Sequence, residues 1–280
     1  MLLASRNQVG FDPSVNFEEC NSLLSFFAYG VKLELRIPDA LLSQLAWPIV
    51  PGAEFADEGR ADALLTVQAS RSAEGEARYE IAENGTVISA VSSLEAAACA
   101  GESWVQLTVA TLAKGLVFVH AGVVRWKDRA IVVPGRSLSG KSTLVLSLVE
   151  RGADYYSDEY AIFDSDGRVH PYWRLPKFRV AYDRKVASSL LGGTLSGAPP
   201  EPVPLGWVLI SRYEAESRWH PRRLSCGRTL LALLDNTVPL LFRPEESVKV
   251  LARAVQNARG LEGTRGEAAD FADQFLASLR

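Results

Sequence analysis

Cysteine is scarce in this sequence. The 280 residues include three cysteines, Cys20, Cys99 and Cys226, which lie far apart and form no CxxC pair. An odd number of widely separated cysteines argues against a disulfide framework and against a structural zinc site. We therefore expect a protein of a reducing compartment, and the cytoplasm is the predicted localisation.

Long apolar runs and a strong net charge are also absent. The longest apolar stretches, Gly115–Val124 and Thr229–Phe242, fall well short of the length that spans a membrane. The N-terminal segment MLLASRNQVGFDPS has too short an apolar run for a signal peptide. The formal net charge is −3, so no general electrostatic attraction to nucleic acid or acidic lipid is expected. These features predict a protein without a nucleic-acid or membrane partner.

The remaining composition is that of a globular protein, with 48% hydrophobic and 22% charged residues. In the first hundred residues, several segments have the alternation and residue types of half-buried strands. These segments are Val31–Ile37, Leu64–Ser70, Ala77–Glu83 and Thr86–Ser92. A long helix is predicted to follow, with Ser93 as its N-cap and Gly115 at its end. We place a domain boundary near Lys114, between a smaller β-rich N-terminal unit (residues 1–114) and a second domain (residues 115–280).

The second domain mixes strand and helix patterns, which is typical of an α/β fold within a chain that is α+β overall. Strands are predicted at residues 116–124, 130–134, 153–157, 159–164 and 207–213. Two or three helices are expected to finish the chain, in residues 228–236, 244–258 and 267–279.

A phosphate-binding loop is the clearest motif. Residues 135–142, GRSLSGKS, fit the pattern GxxxxGK[ST] at every fixed position, between an apolar strand pattern and a helical one. In such a loop, backbone N–H groups and the helix N-terminus bind phosphate oxygens. Lys141 is predicted to reach the β- and γ-phosphates, and the Ser142 hydroxyl to bind Mg²⁺; a glycine- and serine-rich turn that binds nothing is the alternative. The residues expected to bind the nucleotide are Gly135, Arg136, Ser137, Leu138, Ser139, Gly140, Lys141, Ser142 and Thr143.

Chain lengths predict that Asp158 lies opposite this loop. A helix over residues 142–150 rises about 13 Å, and a strand over residues 153–157 returns about 13 Å. Asp158 can then bind Mg²⁺ or accept the proton of an attacking hydroxyl, unless the Asp158–Glu159 pair is merely a surface feature. If the strand continues, the two acids point to opposite faces, and only one of them faces the γ-phosphate.

Three further candidates are basic or titratable. His120 interrupts an apolar strand pattern, where it is either a satisfied core residue or a neighbour of the phosphate site. Lys177 and Arg179 are candidates for contact with the γ-phosphate or the acceptor, and a solvated basic strand end is the equal alternative. Arg243 is a weaker candidate for the same role.

The combination of these motifs resembles the catalytic domain of the HPr kinase/phosphorylase family, over roughly residues 116–163. The matching positions are His120 with Gly122, residues 135–142, Arg151 with Gly152, and Asp158 with Glu159. The resemblance implies a P-loop fold related to phosphoenolpyruvate carboxykinase, with ATP and Mg²⁺ as cofactors. It also implies a catalytic base at Asp158, with Glu159 as its helper or a metal contact and His120 assisting. Lys141 is also counted among the candidate catalytic residues.

Three departures from that family bear on the substrate. Glu159 replaces the usual second aspartate, a later metal-binding glutamate segment has no clear counterpart, and the N-terminal unit does not resemble that of the HPr enzymes. HPr itself is therefore not the expected acceptor. The sequence is more similar to HPr-kinase-related proteins of biosynthetic operons, some of which phosphorylate serine on a precursor peptide such as a lasso-peptide precursor. The related enzymes are often hexameric, so a homo-oligomer is conceivable.

Two functions remain open at this point. The first is a kinase that transfers the γ-phosphate of ATP to a hydroxyl, preferably serine, of a peptide or small-molecule acceptor. The second is a nucleotide-responsive binding module, in which the β-rich unit binds a partner and no phosphate is transferred. An ATPase or motor fits less well, because the segment WVLISRY lacks the acid that ends a Walker B strand.

Overall fold

The computed structural model describes residues 17–18, 22–57, 59–71, 75–135, 140–174, 191 and 198–279. The chain divides into two compact units, residues 1–108 and 109–280. Among the described residues, no helix is both long enough and apolar enough to cross a membrane. The chain is mixed α/β, with one sheet in each unit.

The N-terminal unit is built on a mainly antiparallel sheet. Its strands are β1 (Phe17–Glu18), β2 (Ser22–Ala28), β3 (Val31–Ile37), β4 (Glu54–Phe55), β5 (Ala63–Arg71), β6 (Ala77–Glu83) and β7 (Thr86–Val91). The order across the sheet is β4-β2-β3-β5-β6-β7, with β1 paired to β5. Its helices are α1 (Asp39–Leu42) and the greater part of α2 (Leu94–Leu112), whose last turn belongs to the second unit.

Local sequence explains most of these elements. The predicted segments at residues 31–37, 64–70, 77–83 and 86–92 are all strands, within two residues at each end. The β6–β7 hairpin turns at Asn84 and Gly85, whose φ angles of 47° and 83° lie in the left-handed region that these residue types tolerate. Ser93 accepts a hydrogen bond from the Ala96 N–H at 3.1 Å, as an N-cap does.

The second unit contains the remaining named elements of the described residues. Its strands are β8 (Leu116–Trp126), β9 (Arg129–Pro134), β10 (Asp154–Ser157), β11 (Tyr160–Asp164), β12 (Arg168–His170), β13 (Val203–Tyr213), β14 (Arg222–Arg223) and β15 (Arg259–Arg265). Its helices are α3 (Lys141–Val149), α4 (Cys226–Leu234), a 3-10 helix (Val238–Leu241), α5 (Pro244–Val255) and α6 (Ala268–Ala277).

The strand directions place several carboxyl ends at one edge of the sheet. β9 pairs with β13, and β13 with β15, all in parallel. β8 is antiparallel to both β9 and β10, so β10 runs in the same direction as β9 on the other side of β8. The carboxyl ends of β9, β10, β13 and β15 therefore meet at the edge where ligands bind in sheets of this kind.

Both faces of this sheet are covered. Along β9, Ala130 and Val132 pack in a cluster with side chains of α4 and α5, whereas Ile131 and Val133 pack with α3 and α6. α3 approaches β8 closely at Gly122, where a Cβ atom would lie 2.6 Å from Val145 Cγ2. The close approach holds the N-terminus of α3 against the middle of the sheet.

The end of the chain differs from the prediction. Between α5 and α6 the structure contains β15, which the sequence analysis did not identify because the segment RGLEGTR contains two glycines and has no apolar alternation. β15 is stabilised instead by seven registered pairs with β13. This strand completes the sheet edge and carries a site residue described below.

Candidate active site

The phosphate-loop motif lies between β9 and α3. The predicted phosphate ligands Arg136, Ser137, Leu138 and Ser139 lie outside the described residues. Gly135 donates its N–H to the His120 carbonyl at 3.3 Å. Gly140 precedes α3 with a φ of 81°, a conformation that glycine adopts without a Cβ penalty. Strand, loop and helix thus follow in the order that the motif requires.

The start of α3 carries Lys141, Ser142 and Thr143. Lys141 is 7% exposed. Burial lowers the pKa of Lys141, and the negative charges of Glu159 and then Asp158 act in the opposite direction. Thr143 is exposed in the first turn of the helix.

Asp158 lies directly beside the helix start. Its Oδ2 accepts a hydrogen bond from the Ser142 hydroxyl at 3.0 Å. Burial raises the pKa of Asp158, and the hydrogen bond from Ser142 opposes that rise. The count of residues from Ser142 to Asp158 and the contact between them agree in placing this carboxylate at the phosphate loop.

The second oxygen of Asp158 is less strongly engaged. The Tyr155 hydroxyl lies 3.2 Å from Asp158 Oδ1 and 2.8 Å from the Arg174 carbonyl. A hydroxyl has one proton to donate, and the shorter contact is the one to the carbonyl. Oδ1 of Asp158 therefore has only this weaker partner, and a carboxylate oxygen keeps lone pairs that can accept a proton from another group.

Glu159 is paired with His120. The His120 Nε2 and Glu159 Oε1 atoms are 3.3 Å apart. Burial alone would raise the pKa of Glu159, but the hydrogen bond and charge of His120, assisted by Lys141 and Arg174, hold it below its usual range. His120 is thus a neighbour of the phosphate loop, in contact with the second acid of the pair.

The two acids do not point to opposite faces of a strand. β10 ends at Ser157, and a bend follows in which the Ser157 hydroxyl accepts the N–H groups of Glu159 and Tyr160 at 3.0 and 2.9 Å. The prediction of opposite faces required that the strand continue through Asp158 and Glu159. The strand instead ends at Ser157, one residue before Asp158. The bend lets Asp158 contact Ser142 while Glu159 faces His120 and Lys141.

A cavity of about 560 Å³ lies on the other side of the loop. The loop glycines Gly135 and Gly140 line it, and its polar side chains are those of Lys141, Ser211, Asp235, Asn236 and Arg265. Asn236 is also joined to the site through its backbone, since its carbonyl accepts the His120 N–H at 2.8 Å.

Sequence reasoning did not identify Arg265. It is the last residue of β15 and is 4% exposed. In the sequence it is an arginine within a segment that contains two glycines. Its position at the loop follows only once β15 is known. Lys177 and Arg179, the predicted contacts of phosphate or acceptor, lie outside the described residues. Arg243 is engaged elsewhere, because it bonds Glu246 at 2.8 Å and the Leu116 carbonyl at 3.2 Å.

Arg151 and Gly152, which are positions of the family resemblance, have structural roles. Arg151 binds Asp273 of α6 through two hydrogen bonds, of 2.7 and 2.9 Å. Gly152 turns the chain from α3 into β10 with a φ of 93°. Arg151 thus joins the end of α3 to α6, and Gly152 allows the chain to turn into β10.

Comparison with known proteins gives a distant likeness to solved structures. No protein-family model matches the chain, and no curated protein matches it. Among solved structures, the chain is similar to the Hpr(Ser) kinase/phosphatase from Coxiella burnetii, with 13% sequence identity and a TM-score of 0.30. The match covers 58% of this chain and 95% of that chain. A likeness of this size does not establish the family of the protein.

Proposed function

We propose that this protein is an ATP- and Mg²⁺-dependent kinase with a P-loop fold, which transfers the γ-phosphate to a hydroxyl group of a peptide or small-molecule acceptor. The observation that carries the proposal is the 3.0 Å hydrogen bond between Ser142, at the start of α3, and the carboxylate of Asp158. This contact supports the proposal because a carboxylate beside the start of α3 would lie near the terminal phosphate of a loop-bound nucleotide.

The residues beside Ser142 suit Mg²⁺. Ser142 donates its proton to Asp158, so its oxygen lone pairs are available to a cation. The described residues contain no group of three or more acid, histidine or cysteine side chains that could hold a metal. Mg²⁺ needs no such group, since one or two protein oxygens and the substrate phosphates complete its shell. Ser142 would hold the ion, with Asp158 or Glu159 acting directly or through water, and the ion would neutralise phosphate charge.

Phosphate binding is assigned to the loop and the start of α3. The N-terminus of α3 presents backbone N–H groups and the positive end of its dipole. Lys141 adds a buried positive charge, which is worth more to a bound phosphate than an exposed one. These groups bind the phosphates and leave the acceptor to approach from the side of Asp158.

Asp158 is the proposed general base. Its pKa is raised by burial, which makes the carboxylate a better proton acceptor near neutral pH. In the transfer step, the bond between the γ-phosphorus and the ADP oxygen breaks and a bond to the acceptor oxygen forms. The hydroxyl proton passes to Oδ1 of Asp158, the oxygen that Ser142 does not engage. His120 keeps Glu159 ionised beside this reaction.

A product assay tests the proposal. The protein is incubated with Mg²⁺, γ-labelled ATP, serine- and threonine-containing peptides and small alcohols, and labelled phosphate esters are separated from inorganic phosphate. We expect labelled phosphate in an ester with one class of acceptor. Binding of ATP without any labelled ester would instead indicate a nucleotide-responsive binding module, and inorganic phosphate alone would indicate an ATPase.

A further inference from the structure

Arg265 has an unusual environment for an arginine. Its side chain is 4% exposed and lies beside the last glycine of the phosphate loop. One terminal nitrogen contacts the Gly140 carbonyl at 3.5 Å, and the other contacts the Gly266 carbonyl at 3.1 Å. Within the described part of the chain, its Nε has no hydrogen-bond partner.

The charge of Arg265 has no salt-bridge partner among the described residues. Glu267 attracts it electrostatically without forming an ion pair, and burial lowers the pKa of Arg265 by more than this charge raises it. The ring of Tyr213 is 5.7 Å from the guanidinium carbon, and such a contact compensates only part of a buried charge. Because a buried, unpaired cation is costly, this position favours the binding of an anion.

The geometry indicates which anion. Arg265 and Lys141 are the two cations among the described residues that line the cavity beside the loop. A Cβ atom at Gly140 would lie 2.8 Å from a terminal nitrogen of Arg265, so the guanidinium packs directly against the loop backbone. The planar fork of arginine matches the oxygens of a phosphate group. Asp158 lies on the opposite side of the loop, since β10 is beyond β8 and β15 is beyond β13.

We propose that Arg265 is a phosphate-binding residue, which contacts the polyphosphate of the nucleotide from the side of the loop opposite Asp158. The inference rests on the proposed function in one respect, the binding of a nucleotide at this loop. It does not require phosphate transfer. The inference also assigns a role to β15, because Arg265 is the last residue of this strand and lies beside the loop.

The test compares wild type with Arg265→Gln and with a matched control, Arg222→Gln. Arg222 lies on the neighbouring strand β14, is exposed, and binds Glu262 on the surface. Equilibrium constants for ATP and for inorganic tripolyphosphate are measured by calorimetry, with thermal unfolding as a check on folding. We expect R265Q to weaken both ligands by a similar factor of about 10 to 100, the usual worth of a charged hydrogen bond. R222Q should stay within about twofold of wild type.

Each result decides the question. A folded R265Q that binds ATP as wild type does would overturn the inference. Loss of affinity for ATP but not for tripolyphosphate would also overturn it, because Arg265 would then contact the nucleoside and not the phosphates. Should R265Q fail to fold, the measurement is made on wild type instead. The Nε–Hε NMR signal of Arg265 is assigned by its absence from the spectrum of R265K and is followed as ATP is added. ATP shifts that signal under the inference, and an unchanged signal refutes it. Binding of both ligands without any phosphate ester would refute the kinase proposal alone.

Discussion

Replacement of Asp158 by asparagine separates the chemical role of this carboxylate from its structural one. Asparagine keeps the size of the side chain and can still bond Ser142, but it cannot accept a proton as a base. Loss of a general base typically slows the step by about 10²- to 10⁴-fold, or roughly 3–5 kcal/mol in the barrier. We expect D158N to bind ATP nearly as wild type does while transfer falls by at least that factor.

The same substitution should stabilise the apoprotein at neutral pH. Burial raises the pKa of Asp158 in the folded state, so its contribution to stability is fully present below the unfolded pKa and is lost as pH rises through the folded pKa. At pH 7 the ionised carboxylate therefore costs stability, by about 1.4 kcal/mol for a rise of one pH unit in this pKa. D158N removes that cost, and the difference should disappear in acid.

The assay is thermal unfolding without Mg²⁺ or nucleotide, across acidic to neutral pH, together with initial transfer rates. For a unit of this size, each kcal/mol corresponds to about 2–4 °C in the unfolding temperature. A D158N protein that is less stable than wild type at pH 7 would contradict the assignment of a destabilising buried carboxylate. A transfer rate equal to that of wild type would exclude Asp158 as the base.

Two further substitutions test the scaffold and the acid pair. Gly122→Ala places a Cβ 2.6 Å from Val145, so it should lower the free energy of unfolding in urea by about 1–3 kcal/mol; Gly227→Ala, in α4 with open space around it, is the control and should be neutral or slightly stabilising. His120→Ala removes the hydrogen bond and charge that lower the pKa of Glu159, so this pKa should rise in a carboxyl NMR titration. An unchanged titration of Glu159 would mean that the contact with His120 has no electrostatic effect.

Much of the fold could be predicted from the sequence where local chemistry determines the structure. Val31–Ile37 alternates because one face of the strand is buried, and the β6–β7 hairpin turns at residues that tolerate positive φ. The phosphate-loop motif lies between a strand and a helix because glycines at its ends permit the turn. Asp158 could be placed by counting, because a helix and a strand have fixed rises per residue.

The rest depends on tertiary contacts that no local pattern reveals. β15 forms along β13 although its own sequence lacks strand character, and Arg265 reaches the loop through that pairing. The direction of Glu159 depends on the end of β10 at Ser157, where a hydroxyl accepts two backbone N–H groups. A sequence pattern that assumes a continuing strand cannot predict that bend.

The most direct test of the central claim is a structure of the protein with Mg²⁺ and a non-hydrolysable ATP analogue. The account predicts the phosphates in the loop over residues 135–142, the ion on Ser142, and Oδ1 of Asp158 facing the outermost phosphorus. A triphosphate bound elsewhere, or an Asp158 side chain turned away from it, would contradict the account.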